Sequence, residues 1–320
     1  MPEAPRPDAT EPASPGPPVV GRFAPSPTGP LHLGSLVAAV GSYALARRAG
    51  GRWLLRIEDL DVPRVVPGAA DDFLRTLEAL GFQWDGEVVR QSRRAEAYRE
   101  ALERLQARGA VYPCGCSRAE IARASSAPHG EEGPVYPGTC RDGLGRGREV
   151  RAHRVRVGGE PVRWRDAVFG AAAVRLAAAS GDFVIRRADG LFAYQLAVVV
   201  DDAAAGVTQV VRGADLLGST PRQVHLQGLL SLPTPAYAHL PLVTGPGGEK
   251  LSKRDCPVSL ALGAGLGAEG SPLLLAALRF LGQAPPRFLD GAPGAEVLAW
   301  AAASFDLRAV PRTPGPFPAA

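Results

Sequence analysis

The sequence predicts an α/β protein built on a parallel sheet. Two observations carry this. Strand and helix patterns alternate in order from residue 19 to about 111, as βαβ units do. At 320 residues, 46% hydrophobic and 21% charged, the chain has the composition of a globular protein with a large core. No apolar run approaches the roughly eighteen residues of a membrane span, so no membrane contact is expected. The first eighteen residues, "MPEAPRPDATEPASPGPP", are proline-rich and lack the apolar core of a signal peptide. They predict a flexible tail and a cytoplasmic protein.

Taken in order, "VVGRFAPSPTG" reads as a short buried strand entering a tight turn. "SLVAAVGSYALARRAGG" carries apolar residues at helical spacing and stops at two glycines. "RWLLRIEDLD" is the next strand, acidic at its end. "GAADDFLRTLEALG" and "SRRAEAYREALERLQARGA" are amphipathic helices, again ended by glycine. Ligands of such sheets sit beyond the carboxyl ends of the strands, where 25–35 and 58–61 fall. From 112 to 180, cysteines, glycines and short β-like pieces predict an inserted subdomain. "LFAYQLAVVVDDAAAGVTQVVRGADL" reads as a return to buried-strand character. "SPLLLAALRFLG" predicts a helix with Ser271 at its N-cap and Pro272 first inside it. "AEVLAWAAASF" predicts another, and "VPRTPGPFPAA" a loose tail.

A net charge of +4 and a pI near 9.1 permit an RNA partner without demanding one. The kind of basic residue says more. Of 36 lysines and arginines, only Lys250 and Lys253 are lysines. Two lysines three residues apart, in a chain that uses arginine everywhere else, point to a site that needs a compact ammonium.

Phosphate chemistry is suggested in two places. "PSPTGPLHLGS" has the glycine, proline and hydroxyl content of a phosphate-cradling turn but no lysine. His32 is its one strongly polar heavy side chain, and with Gly34 it opens a helix whose first N–H groups face outward. "GEKLSKRD", far downstream, supplies the lysines. "GPGGEKLS" is not a P-loop, because the lysine lacks its preceding glycine and no strand-to-helix frame surrounds it.

Together the two parts resemble a class I aminoacyl-tRNA synthetase, in which a His-x-Gly-His-like turn and a KMSKS-like loop grip ATP. "RFAPSPTGPLHLGS", "RIEDLD", "FAYQLAVVVDD", "VVRGADLL" and "KLSKRD", in this order across residues 19 to 260, resemble the glutamyl-tRNA synthetase subgroup. Ser35 stands where the second histidine of the general turn would be. The resemblance implies a Rossmann-like catalytic domain that activates L-glutamate with ATP and Mg2+. Attack of a carboxylate on the ATP α-phosphorus needs positioning and charge stabilisation above all. Lys253 is assigned to the developing pyrophosphate charge, Lys250 to its support, and His32 with Gly34 to ATP. Arg22 and Arg212 suit the glutamate carboxylates and Glu58 the ammonium. Tyr194 and Ser26 serve as neutral hydrogen-bonders, with Ala24 beside them.

Cys114, Cys116 and Cys140 form a C-x-C…C pattern that suggests zinc but lacks a fourth donor. His129 would serve on chemistry alone, three buried unliganded thiols are the plain alternative, and a disulfide is not expected in a cytoplasmic chain. The resemblance favours Tyr136, through the C-x-C…Y-x-x-x-C set of short glutamyl-synthetase-like proteins, with one structural Zn2+. Cys256 reads as structural.

Sixty-seven residues follow Lys253, too few for a helical anticodon-binding domain. The expected plan is a tail at 1–18, catalytic halves at 19–111 and 181–240, the insertion at 112–180, the lysine loop with a short helical segment at 241–310, and a tail at 311–320. The resemblance then narrows to truncated paralogues that transfer glutamate, activated without tRNA, to the queuosine base of tRNA(Asp). A monomer is expected. A short enzyme charging tRNA(Glu) and a non-catalytic binding paralogue are the alternatives.

Overall fold

In the computed structural model the described residues are 18–124, 135–245 and 270–318. The chain enters through β1 (Val20–Phe23), buried along its length, and passes by way of the 25–32 turn into α1 (Leu33–Arg48). β2 (Arg52–Ile57), α2 (Ala69–Ala79), the short β3 (Val89–Arg90) and α3 (Ala95–Ala107) follow. α1 lies flat on β1. A Cβ on Gly21 would stand 2.9 Å from that of Ala46, so only glycine lets helix and strand approach this closely.

Next come β4 (Val111–Cys114), α4 (Arg118–Ala124), β5 (Ala152–Val155), β6 (Val162–Asp166), β7 (Gly170–Val174), α5 (Leu176–Ala179) and β8 (Phe183–Arg186). α6 (Tyr194–Ala204), β9 (Gln209–Gly213), α7 (Thr220–Leu230), β10 (Ala236–Leu240) and β11 (Val243–Thr244) return to the main layer. α8 (Gly270–Phe280), α9 (Gly294–Ser304) and β12 (Gly315–Pro316) close the described chain.

β1, β2 and β3 pair in parallel in that order, and β9, β10 and β6 are likewise parallel, with β7 antiparallel at the edge. The two sheets abut along β1 and β9, where the Thr208 amide donates to the Val20 carbonyl (3.0 Å) and the Val20 amide to Thr208 Oγ1 (2.9 Å). One hydrophobic core joins α1, β2, α2, α8 and α9 around Trp53, Leu77 and Leu278; a second lies under α3, α6 and α7 around Tyr98, Leu196 and Leu226. β4, β5 and β8 form a separate antiparallel sheet. Pairing crosses both ends of the 112–180 span: β6 joins the main layer, while β8 joins the small sheet.

Three sequence expectations change. Residues 194–204, read as buried strand, are helix α6. Leu196 to Val199 are buried consecutively, and a helix buried on most sides shows no period to separate it from a strand. The helix containing Ser271 begins at Gly270, and the buried Ser271 hydroxyl donates to the Leu289 carbonyl (3.3 Å) instead of capping. The stretch expected as a loose tail is tied down at 315–316 by parallel pairing with Val243–Thr244, and Phe317 packs on Phe280 with ring centroids 6.1 Å apart. Apart from Pro18, the expected N-terminal tail lies outside the described residues.

Candidate active site

The turn after β1, the start of α1 and the ends of β2 and β9 surround one cavity of about 580 Å³. Arg22, Ala24, Ser26, His32, Gly34, Glu58, Tyr194 and Arg212 all line it. Lys250, Lys253 and Cys256 lie outside the described residues.

His32 is the N-cap of α1. Its Nδ1 accepts from the Ser35 amide (3.2 Å), which places the proton of a neutral ring on Nε2, 3.0 Å from Ser35 Oγ. Ser35, at the second histidine's position, thus fixes the tautomer of the first. Above it the free N–H groups of the helix start make a ready seat for an anion.

The floor is a buried charge network. Arg22 donates through Nε to Asp202 Oδ1 (3.3 Å) and through Nη1 to the Val211 carbonyl (3.4 Å). Arg56, on the apolar strand β2, donates to Asp202 Oδ1 (2.6 Å) and Glu58 Oε1 (3.1 Å). Asp201 accepts from Gln91 (2.8 Å), Tyr98 (2.8 Å) and Arg94. Burial opposes the Arg56 charge, but Asp202, Glu58 and Asp201 outweigh it and hold this guanidinium more firmly protonated than usual. Burial would raise Asp202, yet Arg22 and Arg56 pull it below the ordinary carboxylate range. At Glu58 burial prevails over Arg56 and Arg22, and its carboxyl sits above that range. An incoming ammonium would supply the charge that Glu58 lacks.

Arg212 differs from the other two arginines. Its Nε donates to His239 Nε2 (3.0 Å), Nη1 to Gln223 Oε1 (2.8 Å) and Tyr194 Oη (3.2 Å), and Nη2 to Thr220 Oγ1 (2.9 Å). Among the described residues no carboxylate pairs with it. Burial pushes the Tyr194 phenol up against the pull of Arg212, so Tyr194 keeps its proton. It can accept from Arg212 and still donate.

Sequence reasoning gave no role to Arg56, Asp166, Asp201, Asp202, Gln223 or His239. For Arg56, Asp201 and Asp202 a signal was available: a charged side chain in or beside an apolar run, as in "RWLLRI" and "LAVVVDD", must find a partner once buried.

On the small sheet, Cys114, Cys116 and Cys140 place their sulfurs within 4.8 Å of one another. Cys116 and Cys140 Sγ are 3.5 Å apart, and Tyr136 Oη lies 3.4 Å from Cys114 Sγ and 3.8 Å from Cys116 Sγ. The three shorter separations are close to the edges of a tetrahedral site, for which bonds of about 2.3 Å to sulfur and 2.0 Å to oxygen give roughly 3.8 and 3.5 Å. Buried Arg154 donates to Cys114 Sγ (3.3 Å) and lies 3.8 Å over the Tyr136 ring. Burial would raise the Cys114 thiol, but hydrogen bonds from Tyr136, the Cys116 backbone and Arg154 bring it down. A three-cysteine group able to hold a metal ion is therefore present, with a phenol beside it. The rival donor His129 lies outside the described residues.

No helix among the described residues is long and apolar enough to cross a membrane. Residues 18–286 match the tRNA synthetases class I (E and Q) catalytic domain. Glutamyl-Q tRNA(Asp) synthetase of Geobacter sulfurreducens is 68% identical over 96% of this chain and 98% of its own. That of Aromatoleum aromaticum is 56% identical over 95% of each. Among solved structures, a glutamate-tRNA synthetase from Elizabethkingia anophelis matches with a TM-score of 0.74 and 27% identity, over 92% of this chain and 66% of that one. A glutamate tRNA ligase from Elizabethkingia meningosepticum, in complex with its amino acid, matches with a TM-score of 0.76 and 27% identity, over 94% and 67%. This chain thus spans about two thirds of the length of those structures. The α/β layer, its cavity and these matches agree: the chain is a ligase belonging to the class I tRNA synthetases (E and Q), in the glutamyl-Q tRNA(Asp) synthetase branch.

Proposed function

We propose that this enzyme activates L-glutamate with Mg2+-ATP, without tRNA, and transfers the glutamyl group to the queuosine base of tRNA(Asp). The observation that carries the amino-acid half is the charge set of the cavity. Arg212 has no carboxylate partner among the described residues, and Glu58 lacks a full counter-charge, in one pocket with Arg22. A molecule with two carboxylates and one ammonium complements that set. The names of the relatives, 68% and 56% identical, support the acceptor half.

In this reading Arg22 and Arg212 take the carboxylates, Glu58 the ammonium, and Ser26, Ala24 and Tyr194 shape the remaining wall. The α-carboxylate attacks the α-phosphorus of ATP and pyrophosphate leaves. His32 Nε2–H, exchanging Ser35 Oγ for a phosphate oxygen, and the Gly34 backbone meet the phosphates, while Lys250 and Lys253 take up charge on the departing pyrophosphate. A hydroxyl of the modified base then attacks the glutamyl carbonyl and AMP departs. Cys114, Cys116, Cys140 and Tyr136 would hold one Zn2+, which would tie β4 to the loop around 140 as a structural ion. The enzyme works as a monomer in the cytoplasm.

Incubation with radiolabelled glutamate, ATP and purified tRNAs tests the reading. Label should enter queuosine-containing tRNA(Asp), survive periodate oxidation of the 3′ end, and be absent from tRNA(Asp) made without queuosine. ATP–pyrophosphate exchange should need glutamate but no tRNA. Periodate-sensitive labelling of tRNA(Glu) would overturn the acceptor assignment.

A further inference from the structure

Three neighbouring strands bring one residue each into a line. β9 and β10 pair with Arg212 opposite His239, and β10 pairs with β6 at Tyr237 and Asp166. Across that line Arg212 Nε donates to His239 Nε2 (3.0 Å), and His239 Nδ1 lies 2.6 Å from Asp166 Oδ2. The side chains of Asp166 and His239 are 0% exposed. A guanidinium nitrogen can only donate, so His239 Nε2 must be an acceptor. The ring is then neutral, its single proton sits on Nδ1, and it donates to an ionised Asp166. Asp166 Oδ1 is itself held by the Val168 (2.9 Å) and Phe169 (2.8 Å) amides.

We infer that Asp166 and His239 form a positioning relay that orients Arg212 toward a substrate carboxylate without cancelling its charge. This rests on the glutamate reading above. The contrast within the cavity supports it. Arg22 and Arg56 are anchored directly by the carboxylate of Asp202, which offsets their charge. A carboxylate in direct contact with Arg212 would offset its charge as well. A neutral imidazole fixes the fork and leaves the charge available, while Asp166, one residue further away, selects the tautomer. Burial and Arg212 both disfavour protonation of His239, and the hydrogen bond from His239 helps to keep Asp166 ionised.

Nitrogen-15 NMR of the full chain tests the relay directly, with the His239 signals identified by their loss in His239→Gln. The wild-type ring should be neutral and protonated at Nδ1. Asp166→Asn offers an amide N–H to Nδ1, so the proton should move to Nε2, where it opposes Arg212 Nε–H. In pyrophosphate exchange this variant should raise KM for glutamate about 10- to 100-fold, the usual range for losing a hydrogen bond to a charged group. KM for ATP should stay unchanged. His239→Gln keeps an acceptor near the place of Nε2 without needing Asp166, so Asp166→Asn should add little in that background. A wild-type ring protonated at Nε2, or at both nitrogens, overturns the relay, as does an equal rise in both KM values. A wild type inactive with glutamate defeats the functional reading, and the ring signals then decide the relay alone.

Discussion

Asp202 is the shared counter-ion of two buried arginines, so Asp202→Asn is the sharpest test of how the cavity floor is held. The substitution keeps shape but removes charge and turns an amide N–H2 toward a guanidinium. Breaking a buried ion pair by neutralising one partner costs about 3–5 kcal/mol. The lower end applies, because Arg56 retains Glu58 at 3.1 Å and Asp201 at 4.0 Å. Unfolding entropy of about 2.1 cal/mol/K per residue is roughly 0.7 kcal/mol/K for 320 residues, so about 3 kcal/mol lowers Tm by about 4–5 °C. The pH dependence fixes the cause. Arg22 and Arg56 lower the Asp202 pKa in the folded state, so its contribution is complete above the unfolded carboxylate value of about 3.9. It is lost as pH falls toward the folded value. Calorimetric scans from pH 7 downward should therefore show the gap between wild type and variant constant to about pH 5 and closing below about pH 4. No gap at pH 7, or one that does not close in acid, would refute the account.

Burial raises the Glu58 pKa against the pull of Arg56 and Arg22, and only its ionised form pairs with an ammonium. Glutamate affinity measured by calorimetry should therefore fall with decreasing pH along a limb above the ordinary carboxylate range. Glu58→Gln should bind more weakly and lose that limb; a limb that persists would assign it elsewhere. The purified protein should contain about one zinc per chain by atomic absorption, and Cys114→Ser or Cys140→Ser should release it. Tyr136→Phe should weaken the metal by at least the roughly 10-fold that even outer-shell losses cost. Unchanged affinity would move the fourth donor to His129 or water.

Features that are local in sequence could be read before the fold was known. Glycine stops bounded α1, α2 and α3, because a left-handed end is a property of one residue. The turn from Arg22 to Ser35 supplied about a third of the residues that line the cavity, because a strand, a turn and a helix start fit within one short stretch. α6 was misread for a physical reason: neighbours bury several consecutive residues, and the helical period disappears. Those neighbours are α7, the next helix along, and α3, which lies far back in the chain.

The unread part of the site shares that cause. Asp166 and His239 are 73 residues apart, and His239 and Arg212 are 27 apart. Nothing in "WRDAV" or "YAHLP" announces a partner. They meet because β6, β10 and β9 lie side by side in one sheet. Side chains alternate along a strand, so a one-residue slip of β10 would turn His239 to the opposite face. Arg212 would then lose the one acceptor that holds its Nε, and Asp166 would be left buried with no imidazole to donate to it. Pairing of Ala238 with Val211 and Leu240 with Gly213, on either side of His239, is what fixes the register. The apolar residues of β10 therefore act on Arg212 through alignment, although none of them carries chemistry.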